Sequence, residues 1–262
     1  MSNGSYPQSL IVMRERNSFQ TMDLGLIVLR QWWKPLLWPM ILGALPFYAL
    51  NQWILSSMEI SPLAQPFVWL ALLIMETPWA AITVEITLGS LVFGQRISPQ
   101  TLFQRFQDGF TKFFYYQFLL RLGYLSLFIT AFIIPSRFGF LNEVIFLERH
   151  PWKGLTLRHE HLAFRSELGL LAFRLILFGI SFVIPAWMGL NVLRNLLVKS
   201  SVWFDPYDFL LNDWLFQLLV WVALQIFVVI RFLHYLDSRI RGEGWDYQNR
   251  IKIWALNRES GK

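Results

Sequence analysis

Five apolar runs, at 35–57, 67–93, 113–135, 168–190 and 214–236, are each long enough to cross a bilayer. About 20 mostly apolar residues of helix span the ~30 Å hydrocarbon layer. Lipid offers the backbone no hydrogen bonds, so such runs satisfy their own N–H and C=O groups as helices. The chain reads as an all-α, polytopic transmembrane helical bundle. Its composition agrees: 55% of residues are hydrophobic and 15% charged, too few polar groups to wet the surface of a soluble domain of this length. The 13 Trp and 8 Tyr, among them Trp32, Trp33, Trp187, Trp214 and Trp245, suit rings that sit at membrane–water boundaries. Met1 to Gln20 is polar apart from a short run at Leu10–Met13, so no cleaved signal segment is expected.

The net charge of +6 follows from where the basic residues stand. Four Lys or Arg precede residue 35, none lies in 58–66, three lie in 95–112, five in 136–167, two in 191–213 and six in 237–262. Basic loops mark the cytoplasmic side. The balance therefore reflects topology, and a nucleic-acid partner is not expected. Having no Cys, the chain has neither disulfides nor thiolate ligands.

Charge placement also poses a parity problem. Segments 95–112 and 136–167 both read as cytoplasmic, yet a single long apolar run joins them. Pro135, which cannot continue a helix's hydrogen-bond ladder, offers a resolution. After it, the short apolar piece Phe140–Glu148 can return as an irregular element packed against other helices. The expected architecture is about six passes, one of them broken near Pro135, with amphipathic helices on the cytoplasmic face and both termini cytoplasmic. Five passes with opposed termini is the alternative.

Each hairpin is expected to follow a surface stretch. At 98–112, Ser98 reads as N-cap and Pro99 as the first helical residue. Leu102, Phe103, Phe106, Phe110 and Phe113 then recur at helical spacing, opposite Gln104, Arg105, Gln107 and Lys112. Residues 18–31 and 151–165 are looser versions. The chain divides into one membrane domain, 1–262, with hairpins at 18–94, 98–148 and 151–246 and a cytoplasmic tail at 247–262.

Ionisable groups within the runs cost ~2.5–3.5 kcal/mol each on insertion scales, so they face protein or water and find partners. Glu85, Arg121, Glu143, Glu148, Arg174 and Arg231 are expected to cluster in the cytoplasmic half, with Glu85–Arg121 the first pair by depth. Glu76 lies deeper, beside Pro78. The cluster reads either as a set of ion pairs that fixes helix register or as a polar groove for a head group, ion or partner segment. Catalytic signals are absent from this reading. His159-Glu160-His161 places its two imidazoles about 200° apart on a helix, and no His-Glu-x-x-His spacing exists. No catalytic residue, metal site or cofactor is expected, and the chain leans away from being an enzyme.

The run Tyr235-Leu236-Asp237-Ser238-Arg239-Ile240-Arg241-Gly242-Glu243-Gly244-Trp245-Asp246 resembles the Tyr-x-Asp-x-Arg-x-Arg-x-Glu-Gly-aromatic-Asp ending of certain bacterial multi-pass proteins. These are related to the membrane domain of glycerophosphoryl diester phosphodiesterases. Glu143–Arg149, Arg165-Ser166-Glu167-Leu168, Met22-Asp23-Leu24-Gly25 and Phe93-Gly94-Gln95-Arg96 are similar to further segments of that group. The resemblance implies a six-helix membrane domain with interfacial helices in a bacterial inner membrane. It implies no phosphodiesterase activity, which in that family belongs to a soluble barrel not expected here. Read from its residues, the C-terminal run carries the i,i+4 pairs Asp237–Arg241 and Arg239–Glu243, with Trp245 as an interfacial anchor. Tyr235, Asp237, Arg239, Arg241, Glu243 and Trp245 form a candidate cytoplasmic docking motif. The leading expectation is a non-catalytic scaffold or subunit that binds lipids and a cytoplasmic or membrane protein. The alternative is a small-molecule or lipid transporter using the inner-half charges.

Overall fold

A computed structural model describes residues 16–58, 60, 61, 63–92, 94, 98–126, 139–164, 168–198 and 210–243. They form helices α1 (Ser18–Ser57), α2 (Gln65–Val92), α3 (Pro99–Ser126), α4 (Leu141–Phe146), α5 (Leu155–Phe164), α6 (Leu168–Val198) and α7 (Trp214–Glu243), with a 3-10 turn at Leu210–Asn212 before the last.

Local sequence explains how these helices start and bend. Asn17 caps α1 reciprocally: its side chain accepts from the Gln20 N–H at 2.8 Å, and the Gln20 side chain accepts from the Asn17 N–H at 3.3 Å. This capping box satisfies two N–H groups that an α-helix start otherwise leaves open. The helix then departs from helical angles at Trp32 (φ −110°, ψ 22°), three residues before Pro35. A proline ring crowds the carbonyl four residues earlier, so the kink follows from Pro35. It separates the amphipathic stretch 18–31 from the remainder of one long helix. Ser98 caps α3 by accepting from the Thr101 N–H at 3.2 Å.

Among the described residues, three helices are long and apolar enough to cross a membrane: Gln65–Val92, Leu170–Arg194 and Trp214–Gly242. The chain is thus a multi-pass, all-helical membrane protein, and the expectation of about six passes is overturned. The run 35–57 is diluted within α1 by Pro35, Pro39 and Pro46, together with Tyr48, Asn51 and Gln52. Of the run 113–135, the part to Ser126 lies in α3, which begins at Pro99 and carries the expected surface stretch and the start of the run in one unbroken helix. The expected break at Pro135 lies outside the described residues. The expected return pass, where described, is α4, six residues long and buried throughout. At 1.5 Å per residue it covers roughly 9 Å, well short of the hydrocarbon layer.

Side-chain contacts fix the helix directions. Tyr48 of α1 donates to the Trp214 carbonyl, and Gln52 Nε2 donates to Gln217 Oε1 at 2.5 Å, while Gly25 lies against Ile230. Trp187 of α6 meets Phe216, and Gly179 meets Phe227. So α1 and α6 run antiparallel to α7. Helix α2 runs parallel to α7, with Ala80 near Gln225 and Glu85 near Arg231. The larger core gathers Val84, Leu88, Phe140, Val144, Phe146, Phe232 and Tyr235 toward one end, and a smaller one joins Trp69, Val183, Trp187 and Phe216 toward the other.

Helix α6 buries one stripe, Leu171, Leu175, Val183, Trp187 and Asn191, and exposes Phe173, Ile176, Leu177, Ile180 and Leu193. An apolar helix buried along one side only is what lipid contact on the other side requires. Helices α1 and α2 meet most tightly at Gly43, where a Cβ would run into the Ala80 carbonyl. Thr83 Oγ1 donates to the Pro39 carbonyl beside it, at 2.7 Å. We expect G43A to lower stability by about 1–3 kcal/mol. G189A, whose Cβ would meet nothing within 4 Å, should stay close to wild type. Denaturant titration of both variants in detergent micelles checks this.

Candidate functional site

Three ionisable side chains converge where α4 wedges between α2 and α7. Arg231 pairs with Glu85 through Nη2 and with Glu143 through Nε, the latter at 3.2 Å. Both glutamates are fully buried. Asn142, next to Glu143 on α4, extends the network: its Nδ2 donates to the Pro78 carbonyl at 3.2 Å and approaches Glu85 Oε1 at 3.4 Å. Gln117 Nε2 of α3 donates to Asn142 Oδ1 at 2.7 Å. One guanidinium thus serves two carboxylates, and a chain of amides joins α2, α3, α4 and α7. Among the described residues, Oε2 of Glu85 and Oε2 of Glu143 find no hydrogen-bond partner.

A second network lies nearer that end of the bundle. Glu148 receives Arg158 through a two-point contact, Nε to Oε2 at 2.7 Å and Nη2 to Oε1 at 3.0 Å. The Tyr235 hydroxyl donates to Glu148 Oε1 at 2.7 Å, and Arg239 lies 3.5 Å from it. Burial pushes the Glu148 carboxyl up, but the hydrogen bonds from Arg158 and Tyr235 and the charge of Arg239 outweigh it and hold the group below its ordinary range. A third contact ties the described start of the chain to the end of α7. The Arg16 N–H donates to Asp237 Oδ1 at 2.6 Å, Arg241 pairs with Asp237 at 2.9 Å, and Arg241 also donates to the Arg16 carbonyl.

The six expected cluster residues are therefore distributed. Glu85, Glu143 and Arg231 come together, and Glu148 belongs to the second network. The Arg174 guanidinium lies over the Phe19 ring, 4.0 Å from its centroid. Arg121 lies on α3 with its side chain outside the described residues, so the expected Glu85–Arg121 pair falls outside them too. In the C-terminal motif, Tyr235 and Asp237 are buried and Arg239 and Arg241 make the contacts above. The Glu243 side chain and Trp245 fall outside the described residues. Asn142, Gln117 and Arg158 were not singled out from the sequence. The polar Asn142 inside an otherwise apolar run beside Glu143 was the available signal for one of them.

His159 is buried on the inner face of α5 with Leu155 and Leu162, while Glu160 and His161 are exposed. The N–H of Phe140, at the start of α4, donates to its Nε2 at 3.2 Å. Burial pulls the imidazole down to about 4. Among the described residues, no group of three or more His, Cys, Asp or Glu is arranged to hold a metal ion.

These features define a multi-pass helical membrane protein with buried ion-pair networks. Compared with family models, curated proteins and solved structures, the chain matches none.

Two outcomes are expected. R231Q leaves two buried carboxylates without their cation and should destabilise the bundle by about 3–5 kcal/mol. R149Q, which removes an exposed pair with Asp108 at 3.8 Å, should cost under about 1 kcal/mol. Thermal unfolding of the two variants in the same detergent separates them. His159 binds its proton less readily folded than unfolded. Its contribution is therefore complete above its ordinary value of 6.5 and is lost as pH falls toward about 4. That window is worth about 3 kcal/mol. Stability measured at pH 7, 5.5 and 4 should fall less steeply for H159Q than for wild type.

Proposed function

We propose that this chain is a transporter of a small polar molecule or a lipid, and that its cargo engages the Glu85–Arg231–Glu143 network. The observation that carries this reading is the combination of burial and incomplete satisfaction. Both glutamates are fully buried and each keeps one carboxylate oxygen without a partner among the described residues. Of the three side chains, Arg231 alone keeps partial exposure, 24%. Ionisable groups within a membrane bundle are costly, and they mark substrate, ion and proton pathways in many membrane proteins. Glu85 lies on a helix that Pro78 interrupts, which supplies a place for α2 to bend.

A non-catalytic scaffold is the weaker reading. Tyr235, Asp237 and Arg239 of the C-terminal motif spend their polar groups on Glu148, Arg16 and one another. That leaves little of the motif's described part to grip a partner. A relation to the membrane domain of glycerophosphoryl diester phosphodiesterases belongs to the same proposal and rests on the Tyr235–Asp246 run.

The protein is further proposed to reside in a bacterial inner membrane with both termini cytoplasmic. Supporting this, the Arg16–Asp237–Arg241 contact joins the described start of α1 to the basic end of α7, and basic ends face the cytoplasm. Membrane lipids are the proposed surroundings and a lipid head group one candidate cargo.

Purified protein in liposomes tests the transport reading with two probes. Solid-supported-membrane currents are recorded on a panel of organic anions, amines and amino acids. Dithionite quenching of a fluorescent phospholipid reports lipid movement. We expect a signal with at least one probe, reduced at least tenfold in R231K and in the matched double variant E85Q/E143Q, and unchanged in R149Q. Signals equal to wild type in both network variants, with insertion intact, would overturn the proposal.

A further inference from the structure

A second acidic position lies apart from that network. Glu76 of α2 is buried, at 8% exposure, and its Oε2 has no hydrogen-bond partner among the described residues. It precedes Glu85 by nine residues, which at 100° per residue turns it to the opposite flank of α2. It faces the side of α2 that meets α1, where Asn51 interacts with its carboxyl. Asn51 is fully buried, yet neither its Nδ2 nor its Oδ1 completes a hydrogen bond among the described residues. Beside it, Phe47 of α1 stacks on the buried Trp221 of α7, ring centroids 6.1 Å apart, and the Trp221 Nε1 is likewise unpartnered.

Among the described residues, no cation answers the carboxyl. Helix α2 contains no Lys, Arg or His, α1 none after Lys34, and α7 none before Arg231. The titratable and charged groups on the surrounding elements include Lys34 and Tyr48 on α1, Glu85 on α2, Tyr115, Tyr116 and Arg121 on α3, whose Phe113 packs on Trp79, Arg174 and Arg194 on α6, Asp213 ahead of α7 and Arg231 on α7; the Arg121 side chain lies outside the described residues. Among these, Arg231 is committed to Glu85 and Glu143. Asp213 accepts from the Trp187 indole and the Leu215 N–H. The Tyr48 hydroxyl donates to the Trp214 carbonyl. None of these groups forms an ion pair with Glu76 among the described residues.

A carboxyl in lipid surroundings with no cation opposite carries a proton rather than a charge. A neutral acid and a primary amide are complementary, because the acid O–H donates to the amide oxygen while an amide N–H donates to the acid oxygen. An ionised carboxylate has lost its donor but still accepts from an amide N–H. Asn51 can therefore partner the carboxyl in both of its states.

We propose that Glu76 and Asn51 form a proton-binding site between α1 and α2, separate from the Glu85–Arg231–Glu143 network, at which one proton is reversibly taken up and released. On release the carboxyl O–H bond breaks, its electron pair stays on the oxygen, and the proton passes to water. Adjacent Pro78, which cannot bond the Ile74 carbonyl, gives α2 freedom to turn Glu76 toward water in that step. The site deepens the transport reading by supplying a coupling proton, but it stands on its own residues.

Infrared difference spectroscopy on liposome-embedded protein, labelled with carbon-13 glutamate and titrated from acid to alkaline pH, tests the site. The expected result is a neutral-carboxyl C=O band that shifts with the label and disappears reversibly as pH rises. It should be lost in E76Q, retained in E85Q, retained but shifted in E76D, and shifted in N51L. A band that persists in E76Q, that is absent from wild type, or that keeps its intensity at every pH would overturn the proposal. The band is read without any cargo. Failure of the transport assays with the band intact would therefore count against transport alone, and active transport without the band against this site alone.

Discussion

A charge carried into the hydrocarbon layer must meet a countercharge or water, and Arg231 meets that condition for Glu85 and Glu143 together. The position of α4 follows from this. A six-residue helix has too little surface to hold a place in a bundle by burial alone. Glu143 and Asn142 tie it to α7, α2 and α3 through groups that would be costly to leave unmatched. Phe146 and Leu147 then fill the spaces left by Gly109 and Gly89. The ion pair fixes where α4 sits, and the apolar packing closes around it.

Polar contacts at the two ends bracket this centre. At one end, Arg16, Asp237 and Arg241 hold the start of α1 against the end of α7. At the other, Gln52 and Gln217 join the same two helices, and Asp213 gathers Trp187 and Leu215. Between lipid-facing helices there is little hydrophobic drive for association, so packing and polar contacts of this kind set the pairing. That α1 and α7 are tied at both ends explains why the C-terminal motif is turned inward. Its regular spacing of Tyr, Asp and Arg serves helix–helix contact as much as any surface.

Much of the helix pattern was legible in the sequence. The runs 67–93, 168–190 and 214–236 became α2, α6 and α7, with starts within two residues and ends displaced by up to eight, and Ser98 caps α3. The pass count failed for a physical reason. Apolar length alone does not tell how far a run is diluted by proline and polar side chains, as in α1, or tell a crossing segment from a short buried element such as α4. Of the site, Glu85, Glu143 and Arg231 could be marked because each stands alone in apolar surroundings. Their grouping could not, since Arg231 follows Glu143 by 88 residues and Glu85 by 146. Depth along a helix was the only coordinate available, and depth says nothing about which flank a side chain occupies.

The sequence by itself determined that this chain enters a membrane as helices, and which few ionisable groups it must carry there. Both follow from the cost of unpaired polar groups in lipid, which depends on residue type and run length alone. Only the tertiary structure decided which of those groups meet. Partner choice depends on helix rotation and on the approach of segments far apart in the chain. It put Glu85 and Glu76 on opposite flanks of α2, one facing an arginine and the other an asparagine.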